Sequence, residues 1–503
     1  MTTKHSVVSL AALGLGVLAA FGSGASTAAK TASTPTFSED IAPIVFNNCT
    51  SCHRPGENAP FTLMSYDDVR PRARQIANTT KSRQMPPWKA GPSDFAFKND
   101  RRLTDREIDV IQQWVAAGMP EGDAKKLPAM PKFIEGWQLG TPDLVVKMPV
   151  AYEVPASGRD IYRNFVLPLN LPNDVWVKAI DFRPQARSVV HHSLFFLDNT
   201  GEARREDEAD PLPGYNGGMG GGNVGAGRGL LAALAGGRGN AVATSTAPAP
   251  ASATQSSTGG VGGWVPGTQA APLPDDLAWF VPKGSDLILS THFHPSGKVE
   301  HEASTVGIYF AKQAPKQRFQ GIQLPPVFGL LSGINIPAGE PRYSISDSWV
   351  LPIDVKLFGI AGHAHYLAKT MKLTATLPSG EVKTVLDIAD WDFGWQEQYQ
   401  FANYVSLPKG TKLDATITYD NSTANKRNPS NPPKRVTWGE QSTDEMGSII
   451  LQLVSGKPGE LPQLTQAFGD HMREAAAARP GVGMLMQLGG GRGRGPAAEP
   501  TNR

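Results

Sequence analysis

Two cysteines, ten histidines and a few methionines carry the chemistry legible in this chain. Both cysteines stand in CTSCH, where Cys49 and Cys52 are followed directly by His53. A C-x-x-C-H run is the covalent attachment pattern of a c-type haem, with the histidine as the natural proximal ligand. A redox Cys-x-x-Cys pair is the competing reading, but that pair normally stands beside a βαβ pattern, and the surroundings here read as helical. With both thiols used on haem, no cysteine is left for a structural disulfide. Met85, in SRQMPPW, is the expected sulfur donor to the other haem face, because a His/Met pair raises the potential for electron transfer. Met64, Met119 or an open face are the alternatives.

His5 lies in the N-terminal leader, and six further histidines form three close pairs. His363 and His365 in GHAH are two apart, as are His292 and His294 in STHFHPSG, so on a strand each pair shares a face and can clamp one ion. His191 and His192 are adjacent in VVHHSLFF, and a regular strand would send them to opposite faces. Both reach one ion only if the strand kinks or ends there. Imidazole suits copper, zinc, iron or nickel, so the pairs do not choose the metal. Met446, in TWGEQSTDEMGSIILQLV, follows an acidic loop and precedes an apolar strand, where simple core packing is the plain reading of the residue alone. His301 and His471 read as ordinary surface residues.

These residues need elements to position them. Residues 37–122 read as one haem-binding helical unit. Thr36-x-x-Glu39 can cap a helix with Ile41, Ile44 and Val45 on one stripe. Thr104-x-x-Glu107 can cap a second with Ile108, Ile111, Trp114 and Val115 inward, stopped by Gly118. A connector spans 123–138. Beyond it the texture changes to short alternating runs such as VWVKAIDF, DLILSTHF and KLDATITYD, separated by turn residues, which is the pattern of sandwiches and barrels. The expected fold class is therefore multidomain: an N-terminal all-α cytochrome c-like domain followed by two all-β sandwich, jelly-roll-like domains. The sandwiches are expected at 139–314 and 318–460, with a break near 314–318. Residues 214–262, rich in Gly and then in Ala, Ser, Thr and Pro, are expected as a mobile insertion. Residues 461–503 are expected as a helix and a disordered tail.

VVHHSLFF, GWVPGTQ leading to LILSTHFHPSGK, GHAHYLAK and STDEMGS follow one another in an order that resembles the copper type II, ascorbate-dependent monooxygenases. That is the family of the peptidylglycine and dopamine β-hydroxylating enzymes, and the resemblance covers about 139–455. It implies two β-sandwich domains, each with one copper, facing one another across a solvent-filled cleft. It implies His191, His192 and His292 as ligands of an electron-transfer copper. It likewise implies His363, His365 and Met446 as the catalytic ligands of an oxygen-binding copper. Strand geometry alone leaves His294 as eligible as His292. There are departures. Peptide-amidating members hold a peptide carboxylate with an arginine two residues before the HxH and a tyrosine four after the methionine. Here Ala361 and Ile450 stand there, so C-terminal glycine peptides are not expected as substrates. The family's usual disulfides are absent too, since both cysteines precede the β region.

The whole chain bounds the reading. At 503 residues, with 40% hydrophobic and 19% charged residues, it is globular and longer than one ordinary domain. A net charge of +2 gives no reason to expect nucleic acid as a partner. Residues 1–28 have the basic start, apolar run and small residues of a secretory signal cleaved after Ala28, and the apolar part is short for a span of ~20 residues. A periplasmic or secreted protein with no stable membrane span after cleavage is expected. Together these features predict a monooxygenase with covalent haem c and two copper ions. It would hydroxylate a C–H bond of a small organic substrate with O₂, on electrons from a small reductant or redox protein. The alternatives are a non-catalytic periplasmic electron-transfer or copper-binding protein and a zinc hydrolase, the latter disfavoured by Met446 and the haem motif.

Overall fold

In the computed structural model the described residues are 34–479, apart from 58, 135, 217–259, 267, 275–276 and 440. The expected signal, most of the Gly-rich insertion and the C-terminal tail lie outside the described residues.

The N-terminal part holds short helices. A π-helical turn, Phe37–Ile41, runs into α1 (Ala42–Asn48), followed by α2 (Tyr66–Val69), α3 (Ala73–Lys81) and α4 (Asp105–Ala116). Thr36 accepts the Glu39 N–H, and Thr104 and Glu107 complete a reciprocal capping box, each satisfying donors that a helix start leaves unpaired. The chain leaves α4 through Gly118 at φ +83, a conformation glycine adopts without a Cβ clash. Ile41, Val45, Ala73, Ile76, Ile108, Ile111 and Trp114 meet in one small core. Residues 88–101 depart from it, although they fall inside the helical unit expected at 37–122. Trp88, Ala90 and Phe97 are buried in the core of a β-sandwich more than two hundred residues further along the chain. The N–H groups of Gly91, Asp94 and Lys98 donate to the carbonyls of Asp387, Thr384 and Gln400. This strap therefore ties the haem-motif region to the far end of the chain.

The rest is mostly antiparallel sheet. The first ten strands are β1 (Leu144–Lys147), β2 (Tyr152–Val154), β3 (Ile161–Pro168), β4 (Val175–Arg183), β5 (Val190–Asp198), β6 (Gly263–Trp264), β7 (Trp279–Val281), β8 (Asp286–Phe293), β9 (Glu300–Glu302) and β10 (Thr305–Phe310). Sheets β1-β10-β4-β7 and β3-β8-β5-β6 enclose one core that includes Phe165, Phe182, Phe195, Leu289 and Ile308. The next ten are β11 (Phe319–Leu324), β12 (Asn335–Ile336), β13 (Tyr343–Val350), β14 (Val355–Ala364), β15 (Ala368–Thr376), β16 (Val382–Ile388), β17 (Gln398–Leu407), β18 (Lys412–Tyr419), β19 (Val436–Thr437) and β20 (Gly447–Ser455). Here β11-β20-β14-β17 and β13-β18-β15-β16 form the second sandwich, around Leu357, Ile360, Leu373, Ile417 and Leu451. β2 with β9 and β12 with β19 are two-stranded ribbons. The two sets of strands fall on either side of 314–318. Leu273 and Leu277 of the first sandwich pack on Phe319, Phe358 and Val454 of the second, so an apolar joint connects them. A last helix, Leu461–Ala477, seats Leu464 and Phe468 in the second core. Among the described residues no helix is long and apolar enough to cross a membrane.

Candidate metal centres and the cleft they share

The adjacent histidines of VVHHSLFF are reconciled by a β-bulge. In the β5–β8 ladder Val190 pairs with Phe293 and His192 with His292, leaving His191 as the extra residue. The rings of His191, His192 and His292 converge, and one nitrogen of each lies within 4.8 Å of the others. His191 Nδ1 and His192 Nδ1 are 3.1 Å apart. Two imidazoles bonded to one ion at about 2.0–2.1 Å and near-tetrahedral or square angles place their nitrogens about 3 Å apart, so this spacing fits a ligand pair. His292 Nε2 is 2.9 Å from Asp160 Oδ2, which leaves Nδ1 as the nitrogen offered to an ion. That Nδ1 is buried without a partner, and such an orphaned acceptor is what a missing ion would satisfy. His294 is exposed and binds the other Asp160 oxygen at 2.8 Å, so the third member of the cluster is His292.

Asp160 is the residue the sequence did not offer. Besides the two histidines it accepts the Tyr366 hydroxyl of the second sandwich at 3.0 Å. Burial acts to raise its pKa, but the hydrogen bonds and charge of His292, with those of His294 and Tyr366, hold it well below the usual carboxylate range. A carboxylate behind a ligating imidazole fixes the ring's tautomer and direction. Tyr162, cross-strand from His292, stacks on it at 4.4 Å and 14°. Burial, then repulsion from His292, lowers the His191 pKa to about 3, and His192 is lowered well below its ordinary value for the same first reason. Burial thus favours the neutral form at His191, His192 and His292, the form that binds a metal.

The second centre forms where β14 and β20 end together. His363 pairs with Ser448 and Ala364 with Gly447, so one further step of the register sets His365 opposite Met446. The His363 and His365 ring centroids are 5.4 Å apart. His363 Nδ1 lies 2.7 Å from Gln396 Oε1, and His365 Nδ1 lies 3.2 Å from Asp444 O, so Nε2 is the nitrogen each offers. Burial lowers their pKa values to about 4 and about 3, with His363 repulsion second for His365. Glu445 clamps the turn: its carboxyl accepts N–H groups of His365 at 3.0 Å, Leu367 at 2.7 Å and Met446 at 3.1 Å. Met446 is buried. Gly447 beside it has the Tyr419 hydroxyl where a Cβ would stand, and that hydroxyl donates to Met446 O at 3.0 Å.

The Phe393 ring packs against a histidine of each centre. Phe393 lies 5.7 Å from His292 and 5.6 Å from His365, centroid to centroid, and 4.7 Å from Tyr366. This differs from a purely solvent-filled gap between them. A cleft of about 1940 Å³ nonetheless reaches both, lined by His192 from one and by His363 and Met446 from the other. The same cleft extends to Ser51 inside CTSCH.

At CTSCH the chain turns tightly after α1, with the N–H groups of Cys52 and His53 donating to Cys49 O at 3.1 and 2.9 Å. Both cysteines are free thiols, and burial, with Cys52 second, pushes the Cys49 thiol up to about 12. His53 Nδ1 is 3.0 Å from Phe61 O, leaving Nε2 for a ligand. This donor set of two unpaired thiols and one oriented imidazole fits a covalent haem. Met85 closes the turn after α3, half-buried, with its N–H on Thr79 O at 3.1 Å. The motif loop meets the first sandwich where Glu57 pairs with Arg187, just before β5, and the strap meets the second where Arg101 pairs with Glu397 at 2.8 Å.

No protein-family model matches the chain, and no curated protein matches it. Among solved structures it is similar to the VP2 subviral particle of infectious bursal disease virus, at 10% identity and a TM-score of 0.17, over 65% of this chain and 75% of that one. The Gx strain of the same virus gives 9% identity and a TM-score of 0.16, over 65% and 77% of the two chains. Likeness at this level carries no argument.

Proposed function

We propose that the chain is an exported haem- and copper-dependent monooxygenase that hydroxylates a C–H bond of a small organic substrate. The observation that carries this reading is the pair of buried, neutral histidine centres, one with an adjoining methionine, opening on one cleft. Hydroxylation by O₂ takes two electrons and two protons from outside the bond and releases water. When bound, copper would supply oxygen activation at the methionine-bearing centre, and copper and haem c together would store and deliver electrons. The chain's own residues do the rest. Asp160 and Gln396 hold His292 and His363 in the tautomers that point a nitrogen inward. Glu445 fixes His365 and Met446 in one turn. Phe393 packs against His292 on one side and His365 on the other. The short helices around CTSCH are read as a cytochrome c-like unit, in which Cys49, Cys52 and His53 would hold the haem, with Met85 as the candidate further ligand.

The test joins metal analysis to ¹⁸O₂ incorporation across a panel of small organic substrates. Two coppers, one haem and labelled product are expected. Zinc in place of copper with no oxygen uptake would sink the reading, and copper without labelled product would leave an electron carrier. Met446→Ala should abolish turnover while the haem spectrum stays intact, and unchanged activity would remove Met446 from the centre.

A further inference from the structure

The floor of the cleft is the outer face of sheet β11-β20-β14-β17, and strand alternation dictates what paves it. His363 and Ser448 form the rung next to Met446. The next rung along the strands is Ala361 opposite Ile450, flanked by Gln323 and Gln398. The rung after that is Gly359 opposite Gln452, flanked by Gly321 and Gln400. Beyond it Phe319 and Val454 close the floor in the apolar joint between the sandwiches. Two residues of strand rise about 6.6–6.8 Å, so the floor runs roughly 13 Å from His363 to the glutamine rung. It bears no charged residue on either rung. Gly359 leaves room for the Gln452 side-chain oxygen, which lies where a Cβ would stand. Beside His363, Gln396 gives its oxygen to the imidazole, while its amide nitrogen is buried without a partner.

We propose that this floor binds an uncharged substrate carrying an amide group: apolar where it crosses Ala361 and Ile450, with the amide seated on Gln452 and Gln400. The reacting carbon of that substrate would be its end near His363 and Met446, so the proposal rests on the monooxygenase reading for its chemistry but not for its binding. A side-chain amide donates and accepts at once and so matches another amide at both ends. A carboxylate or ammonium seated on these two rungs would lose its water and find no charged side chain on either rung, the cleft's charges (Lys98, Arg101, Lys316, Arg318 and Glu397 among them) lying off the rungs.

Three ligands on one skeleton test it: 4-phenylbutyramide, 4-phenylbutyrate and 4-phenylbutylamine. Their affinities for the full metal-loaded chain are measured by calorimetry with oxygen excluded, so that nothing turns over. The amide should bind at least about tenfold more tightly than either charged analogue. Gln452→Leu should erase that preference, and Ala361→Arg, which sets a cation on the floor, should reverse it towards the acid while showing that the site still folds. Equal binding of acid and amide, no binding of any of the three, or an amide preference that survives Gln452→Leu would each overturn the proposal. An amide that binds preferentially but yields no ¹⁸O-labelled product leaves the floor assigned and removes the oxygen chemistry instead.

Discussion

At the level of single side chains, the histidine clusters depend on residues outside the clusters themselves. Asp160 takes hydrogen bonds from His292, His294 and Tyr366 at once. Asp160→Asn keeps the shape but weakens the acceptor that fixes the His292 tautomer. Copper affinity at the His191/His192/His292 centre should fall about 10–100-fold while the methionine-bearing centre is unaffected, as metal titration would read. Burial also makes a pH prediction. His191, His363 and His365 have folded pKa values of about 3, 4 and 3, all below the ordinary 6.5. Above pH 6.5 they cost the metal-free fold nothing. As pH falls below 6.5 the unfolded chain takes up protons that the folded one refuses, so stability drops progressively towards pH 4. The melting temperature of metal-free protein should decline over that interval, and a flat profile would mean these rings are solvated. That these histidines would gather was legible in the sequence through pairing and order. Asp160, Gln396 and Phe393 were not, because each is a single residue with no spacing signal, brought in by strand register or loop path alone.

At the level of elements, the alternation of apolar and polar residues announced the strands, and adjacency at His191/His192 announced that one of them must bend. What alternation could not give was register. The bulge that sets two histidines against His292, and the shared end of β14 and β20 that sets Met446 beside His365, depend on partners far apart in sequence. Glu445 shows how much one such end relies on a buried acceptor. Burial raises its pKa to about 8 against the opposing pull of the N–H donors of His365, Leu367 and Met446. Glu445→Ala strands those donors, each about 1–3 kcal/mol, so the second sandwich should lose about 3 kcal/mol or more in denaturant unfolding. Glu445→Gln should recover part of it, since an amide oxygen still accepts. A loss below about 1 kcal/mol for the alanine variant would show that water replaces the carboxylate.

At the level of the molecule, helices followed by sheets could be read from texture, but the strap could not. Residues 88–101 have almost no regular structure, and their burial comes from partners near residues 384–401. A chain begun at residue 139 lacks Trp88, which meets Tyr399 edge-on, and Phe97, which stacks on Phe401, inside the second sandwich. Removing one large buried aromatic costs about 3–5 kcal/mol. That chain should therefore melt well below one begun at residue 86, by differential scanning calorimetry, and equal melting would demote the strap to a surface passenger.

The strap also says something about descent. A helical unit joined to a β fold by a loose tether could be traded for another like an interchangeable cassette. This one has lent Trp88, Ala90 and Phe97 to its neighbour's interior. Any recombination that exchanged the region between α1 and α4 would tear out part of the second sandwich with it. The two parts can change only in concert, and a chimera would have to keep residues 88–101 from the parent that contributes the β fold.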